Sequence, residues 1–203
     1  MAAAGAANAE RRVVGADCSE NIMLTTEFLD SHQFLEYASW LKSLDTQTIQ
    51  DYFGCAVAAE AVDKLVAGFA KDSKNHHILV AKMSGHWAGT IHIAAHGTEV
   101  EFGVIVAKPY RKQGVASAMM DEAINWARNR HYKDLFMHCI NWNLPIKQLC
   151  RKHGLTPRNM MGDSEVNFHL EPPTPVTFFK ELLVIQRNCL AIFPFSLWTY
   201  SGK

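Results

Sequence analysis

The spacing of apolar residues changes along this chain, and each change predicts a different kind of element. Over residues 26–44, Phe28, Phe34, Leu35, Tyr37, Ala38 and Leu41 recur near a 3.6-residue period and predict a helix. A short helix is expected over 46–53. A third is expected over 56–69, where Val57, Ala61, Leu65 and Phe69 stand four apart on one stripe. The polar run from Lys71 to Asn75 ends that pattern. The next segments, 77–83, 87–95 and 100–106, read as strands. Ser84-Gly85 and His96-Gly97-Thr98 stand between them as turn signals, so the three predict an antiparallel meander.

The period then returns to that of a helix. Residues 114–130 put Val115, Met119, Ala123 and Ala127 along one stripe, with Met120, Ile124 and Trp126 widening it. Residues 135–140 read as a buried strand. Residues 145–153 read as a helix with Pro145 in its first turn and Gly154 at its end. A last strand is expected over 165–170, before Pro172, Pro173 and Pro175 mark a boundary. Helices, then a meander, then helix, strand, helix and strand describe an α+β domain. The chain opens with a small, low-complexity run from Met1 to Ala9, and residues 1–20 read as a disordered lead-in. Residues 21–171 then form the domain, and 172–203 an apolar extension.

Composition narrows what that domain can do. A hydrophobic content of 48% in 203 residues supplies one sizeable core. The formal net charge is zero, so no global field attracts nucleic acid or an anionic membrane. No apolar stretch reaches the roughly 18–20 residues that span a bilayer, and the N-terminus makes a poor signal peptide. The five cysteines are odd in number and form no CxxC pair, which favours reduced thiols and a cytoplasmic protein. His76 and His77 are adjacent and diverge if they lie on a strand. His92 and His96 share a face there, but no carboxylate or Cys stands at ligand spacing, so no metal is expected.

The densest chemistry lies at Arg111-Lys112-Gln113-Gly114-Val115-Ala116-Ser117, where an apolar strand turns into a helix. The first N–H groups of a helix have no intrahelical acceptor, and the macrodipole there favours an anion. Gly114 and Ala116 allow a phosphate to come close to the backbone. Neither GxxxxGK(S/T) nor GxGxxG is present, so this is neither a Walker loop nor a dinucleotide fingerprint. The run fits Arg/Gln-x-x-Gly-x-Gly/Ala and resembles the coenzyme A pyrophosphate loop of GNAT-superfamily acyl-CoA N-acyltransferases. A second segment, Asn143 to Leu155, is similar to that family's Asn-x-x-Ala-x-x-Leu-Tyr-x-x-x-Gly-Phe motif at Asn143, Leu149, Gly154 and Leu155. More loosely, Trp40 to Gly54 resembles the opening of Pat-type protein lysine acetyltransferases, with Tyr52-Phe53 where Arg-Phe is usual.

The resemblance implies a GNAT fold. Its sheet would be mixed and mostly antiparallel, flanked by helices, with two parallel central strands that splay apart. It implies acetyl-CoA as co-substrate. Val104, Ile105 and Val106 would pair with the pantetheine arm, and a backbone N–H near Val104 would polarise the thioester carbonyl. Arg111, Lys112, Gln113, Gly114, Val115, Ala116 and Ser117 would wrap the pyrophosphate, and Asn143 would hold the pantetheine or adenosine end. The amine must lose a proton, since a primary ammonium titrates at about 10. His138 and Glu101, each on one of the splayed strands, are the candidate bases. Cys150 stands where the family often has a Tyr. It could protonate the thiolate, take the acetyl group itself, or only pack.

The implied reaction is direct transfer of acetyl to a primary amine, of a small molecule or a protein lysine, in a ternary complex. The alternative is a catalytically degenerate acyl-CoA-binding sensor or interaction module, consistent with the missing Tyr. The apolar tail, with Phe178-Phe179 and Leu182 to Ile185, is expected to form a helix over 176–188 and an extended arm. These would pack on the domain or on a second subunit, giving a homodimer.

Overall fold

The structure, a computed structural model, describes residues 23–140, 144–154, 157–160 and 163–192. Its centre is a seven-stranded sheet in the order β1-β2-β3-β4-β5-β7-β6. The strands are β1 (Leu24–Phe28), β2 (His76–Met83), β3 (His86–His96), β4 (Glu99–Val106), β5 (Asp134–Ile140), β6 (Pro157–Met160) and β7 (Asp163–His169). All neighbours run antiparallel except β4 and β5, which are parallel and joined by a crossover helix. This is the α+β mixed sheet that the apolar pattern and the resemblance imply.

Helices cover both faces. On one side lie α1 (Phe34–Ser43), α2 (Thr46–Phe53) and α3 (Ala59–Lys71). They bury Tyr37, Leu41, Ile49, Val62 and Val66 against Ile78, Val80 and Ile105. On the other side α4 (Val115–Asn129) lays Val115, Met119, Met120, Ala123 and Ala127 against Leu79, Ile91, Ile93, Phe102 and Val104. The alternation of β4 thus sends Phe102 and Val104 to the α4 side, and Glu101, Gly103 and Ile105 to the α1–α3 side. His76 and His77 diverge as adjacent strand residues must. His76 stacks on Phe69 of α3, and His77 packs on Trp126 of α4.

Two expectations need correction. The predicted helix over 26–44 is strand β1 followed by a short 3-10 turn (Ser31–Gln33) and α1. The break falls at Asp30, whose extended backbone donates its N–H to Gln33 Oε1 at 3.0 Å. Strand β1 escapes notice because its most buried position is a threonine: Thr26 is held by Glu122 and by Asn188. Strand β6 was not anticipated either; it pairs with β7 from Pro157↔Val166 to Met160↔Asp163. The other described elements lie within a few residues of their predicted spans, and α2 matches 46–53 at both ends.

The apolar extension forms α6 (Pro175–Ile192), which packs on α4 and β1. Asn129 at the end of α4 and Arg130 just after it fix it through Glu181, at 2.5 and 3.0 Å, and Thr177 Oγ1 donates to the buried Asn129 Oδ1 at 2.6 Å. The lead-in over 1–20 and the arm after Ile192 lie outside the described residues.

Candidate active site

Strands β4 and β5 start as neighbours and then part. They pair only at Glu99↔Asp134, Val100↔Leu135 and Glu101↔Phe136, although β4 continues to Val106 and β5 to Ile140. The register between β3 and β4 is unbroken from Gly89↔Val106 to His96↔Glu99. Ala107 N–H donates to Ala88 O at 2.9 Å, which identifies one hydrogen-bonded pair of that ladder. Such pairs alternate along antiparallel strands. By that alternation Val104 and Val106 turn their backbone N–H and C=O away from β3, into the gap. The Val106 carbonyl indeed accepts from Arg111 Nε at 3.2 Å.

The gap opens into a cavity of about 430 Å³ between β4, the N-terminus of α4, α2 and α5 (Leu144–Lys152). Val104, Ile105 and Val106 form its β4 wall. Lys112, Gly114, Val115, Ala116 and Ser117 form the end where α4 begins. The turn there is a left-handed one: Lys112 has φ 61° and Gly114, which caps the helix, has φ 83°. Gly114 suits this because a side chain is strained in that region. With no side-chain cap on α4, the first N–H groups of the helix face the cavity end without a built-in acceptor.

The sequence-predicted residues divide clearly. Val104, Ile105, Val106, Arg111, Lys112, Gly114, Val115, Ala116 and Ser117 line the cavity. Gln113 does not; its side chain turns back to donate to Pro109 O at 2.8 Å. Arg111 lines it, but its guanidinium ties the end of β4 to α2, donating from Nη2 to Thr48 Oγ1 at 2.6 Å. Thr48 in turn donates to Asp45, and this bond, with Arg111 and Lys108 nearby, holds the Asp45 carboxyl below its usual range. Cys150 is wholly buried in the core on the α4 side and is absent from the lining. Glu101 is exposed, two residues before Gly103 on the same face of β4. His138 belongs to β5 beyond the last pair with β4, but its side chain lies outside the described residues, as does Asn143 entirely.

Sequence reasoning missed two side chains of note. Lys152 lines the cavity at the end of α5, and its Nζ donates to Ser117 Oγ at 2.7 Å. Ser117 Oγ also lies 3.2 Å from His153 Nε2, whose other nitrogen is 3.3 Å from Asp121 Oδ1. Burial lowers the His153 pKa, Lys152 adds to that and Asp121 opposes it. The only hint was the Arg151-Lys152-His153 run at a helix end. Tyr52 was noticed only as a departure from an Arg-Phe pair. It lines the cavity from α2, and its hydroxyl lies 2.6 Å from where a Cβ on Gly103 would stand. Nothing local to Tyr52 announces a contact with a residue about fifty positions away in sequence.

Next to Gly103 on the same face stand further polar groups. His92 pairs with Gly103 across the β3–β4 ladder. Its Nε2 is 3.0 Å from His76 Nδ1, and both rings stack on Phe69. Burial, then the neighbouring His76 and His77, lower the His92 pKa to about 3. Among the described residues no group of three His, Cys, Asp or Glu side chains could hold a metal ion, and no helix is long and apolar enough to cross a membrane.

Known proteins share this arrangement. The GNAT domain of a Streptomyces lividans PAT protein superposes with a TM-score of 0.61 at 18% identity, covering 71% of this chain and 89% of that one. An acetyltransferase of the GNAT family from Streptococcus pneumoniae gives 0.59 at 18% identity over 73% and 100%. A Vibrio cholerae spermidine N-acetyltransferase, solved with CoA and spermine, gives 0.59 at 12% identity over 72% and 95%. At these identities the likeness is one of fold. In sequence, 50 residues are 36% identical to streptothricin acetyltransferase A of Bacillus subtilis, a match that spans 25% of this chain and 29% of that relative. The sequence model of the Acetyltransferase (GNAT) family matches residues 23–155, more than half of the chain, and the chain belongs to that family.

Proposed function

We propose that the chain transfers an acetyl group from acetyl-CoA to a primary amine, of a small molecule or a protein lysine, by direct attack in a ternary complex. The observation that carries this reading is the meeting of two sets of backbone groups in one cavity. The Val104 and Val106 backbone groups face it from the side, and the open N-terminus of α4 faces it from the end. An extended amide-bearing arm fits the first and a pyrophosphate fits the second. Lys112 and Lys152 add cationic charge there, with Arg111 behind them.

In this reading the acetyl carbonyl takes a hydrogen bond from Val104 N–H, which strengthens as the oxygen becomes negative. The amine approaches from the α1–α3 side, where Glu101 stands, and gives up a proton to Glu101 or to His138. Cys150, buried among apolar side chains, serves packing. The spermidine, ribosomal-protein-alanine and streptothricin acetyltransferases among the relatives take amines of different kinds, so the acceptor is best found by screening. The test is release of CoA thiol from acetyl-CoA with a panel of polyamines, aminoglycoside-type amines and lysine peptides. An amine-dependent release is expected. Tight acetyl-CoA binding with no release across the panel would favour a sensor instead.

A further inference from the structure

We infer that Tyr52 is a catalytic residue, whose hydroxyl donates a hydrogen bond to the thioester carbonyl oxygen beside the Val104 N–H. This rests on the acetyl-CoA reading above and names a group that reading does not require. Four observations lead to it. Tyr52 lines the donor cavity, which Cys150 does not. Its hydroxyl lies against the backbone of Gly103, the residue that precedes Val104. A Cβ at position 103 would meet that hydroxyl at 2.6 Å, so the strand admits the phenol only because the residue is glycine. The phenol also stands on the face of β4 that carries Glu101, whose charge it feels.

The hydroxyl is backed from below. Tyr37, almost wholly buried on α1, directs its own hydroxyl at Tyr52 and lies beside Thr90 of β3. The Thr90 Oγ1 atom is buried with no close hydrogen-bond partner, so its link to Tyr37 is a loose one. With Tyr37 as the donor to Tyr52, the Tyr52 proton is left for the carbonyl oxygen in this proposal. Burial pushes the Tyr52 pKa up to about 12, with the charge of Glu101 adding to it. The phenol therefore keeps its proton at working pH and acts as a donor of a hydrogen bond. As the amine nitrogen bonds to the acetyl carbon, the carbonyl electrons move to oxygen and are met by two donors, Val104 N–H and Tyr52 O–H. They return as the C–S bond breaks, and the proton lost by the amine balances the thiolate that leaves.

The test uses the full chain with acetyl-CoA labelled with ¹³C at the carbonyl. Bound to the wild-type protein, the carbonyl stretch should shift to lower frequency, and Tyr52→Phe should remove most of that shift. Turnover with an active amine should fall about 100-fold in Tyr52→Phe, the loss expected on removing one such donor, with KM for acetyl-CoA within about twofold. Tyr37→Phe keeps the cavity phenol and should lose less than about tenfold. A bound carbonyl frequency that is the same in wild type and Tyr52→Phe would overturn the inference while leaving the acetyl-CoA reading intact. Equal losses in Tyr37→Phe and Tyr52→Phe, accompanied by equal falls in melting temperature, would overturn it in favour of structural support. Failure of acetyl-CoA to bind the wild-type protein would overturn both.

Discussion

The two faces of the sheet are built from different chemistry. Against α4 the strands present Leu79, Ile91, Ile93, Phe102 and Val104, and the helix answers with Met119, Met120 and Ala123. Against α1–α3 the same strands present His76, Thr90, His92, Glu101 and Gly103 among their aliphatic residues, and the helices answer with Tyr37, Tyr52 and Phe69. Buried polar groups weaken a core unless each is satisfied, and the α4 side also holds some, Thr26, Asn129 and Thr177, each with a hydrogen-bond partner. Of the groups on the α1–α3 side, Tyr52 lines the cavity beside the β4–β5 gap and Glu101 shares its face of β4, so in the proposed reading the α1–α3 face is the working one. The α4 face is the scaffold that holds the donor cavity open.

A glycine on each face offers the sharpest way to break that contrast. On β4, Gly103→Ala drives a methyl group into the Tyr52 hydroxyl and ring edge, so the phenol must tilt away from the strand. Turnover should drop by about 100-fold, while thermal unfolding followed by circular dichroism moves by only a few degrees. On β3, Gly89→Ala would place its Cβ 2.9 Å from Ile105 O and 3.0 Å from the Met119 terminal methyl. Backbone cannot swing aside. That variant should lose about 1–3 kcal/mol of stability in denaturant melts, with turnover per folded molecule little changed. If Gly89→Ala harmed turnover and Gly103→Ala harmed only stability, the assignment of the faces would be reversed.

The histidines of the working face give a smaller and pH-dependent effect. His92 has an ordinary pKa of 6.5 that burial, with His76 and His77, lowers to about 3. As pH falls through 6.5 the unfolded chain gains a proton there that the folded chain refuses. The stability tied to neutral His92 is therefore present above pH 6.5 and is lost as pH falls toward 3, at up to about 1.4 kcal/mol per pH unit. His92→Phe keeps a ring on Phe69 and should flatten the acid side of a stability-against-pH curve. An unchanged slope would mean that burial does not hold His92 neutral in the folded chain.

What the sequence revealed follows the same division. The cavity end at α4 was legible because it is local: Arg111 to Ser117 are consecutive, all but Gln113 line the cavity, and the apolar stripe of α4 follows them directly. The span of α2 was legible because Asp45 caps it and Gly54 ends it in the left-handed region, both within ten residues. The working face was not, because its members come from α1, α2, α3, β2, β3 and β4. Tyr52 acquires meaning only when it meets Gly103, and His92 only when it meets His76. Strand β1 hid for a related reason: Thr26 is buried through polar partners on α4 and α6, so its apolar alternation is weak. Cys150 aligns with a tyrosine position of the family motif, and its burial in the core could not be read from that alignment.

The most direct test of this division is the saturation curve for CoA thiol release against acetyl-CoA, recorded for wild type, Lys152→Ala and Glu101→Gln. Lys152 lines the cavity beside Ser117, at the end proposed to take the pyrophosphate, so its loss should raise KM for acetyl-CoA about fivefold and leave kcat within about twofold. Glu101 stands on the working face, so Glu101→Gln should lower kcat at least about tenfold, with KM nearly unchanged. The account is contradicted if both substitutions move the same constant, or if Glu101→Gln changes only the affinity for acetyl-CoA.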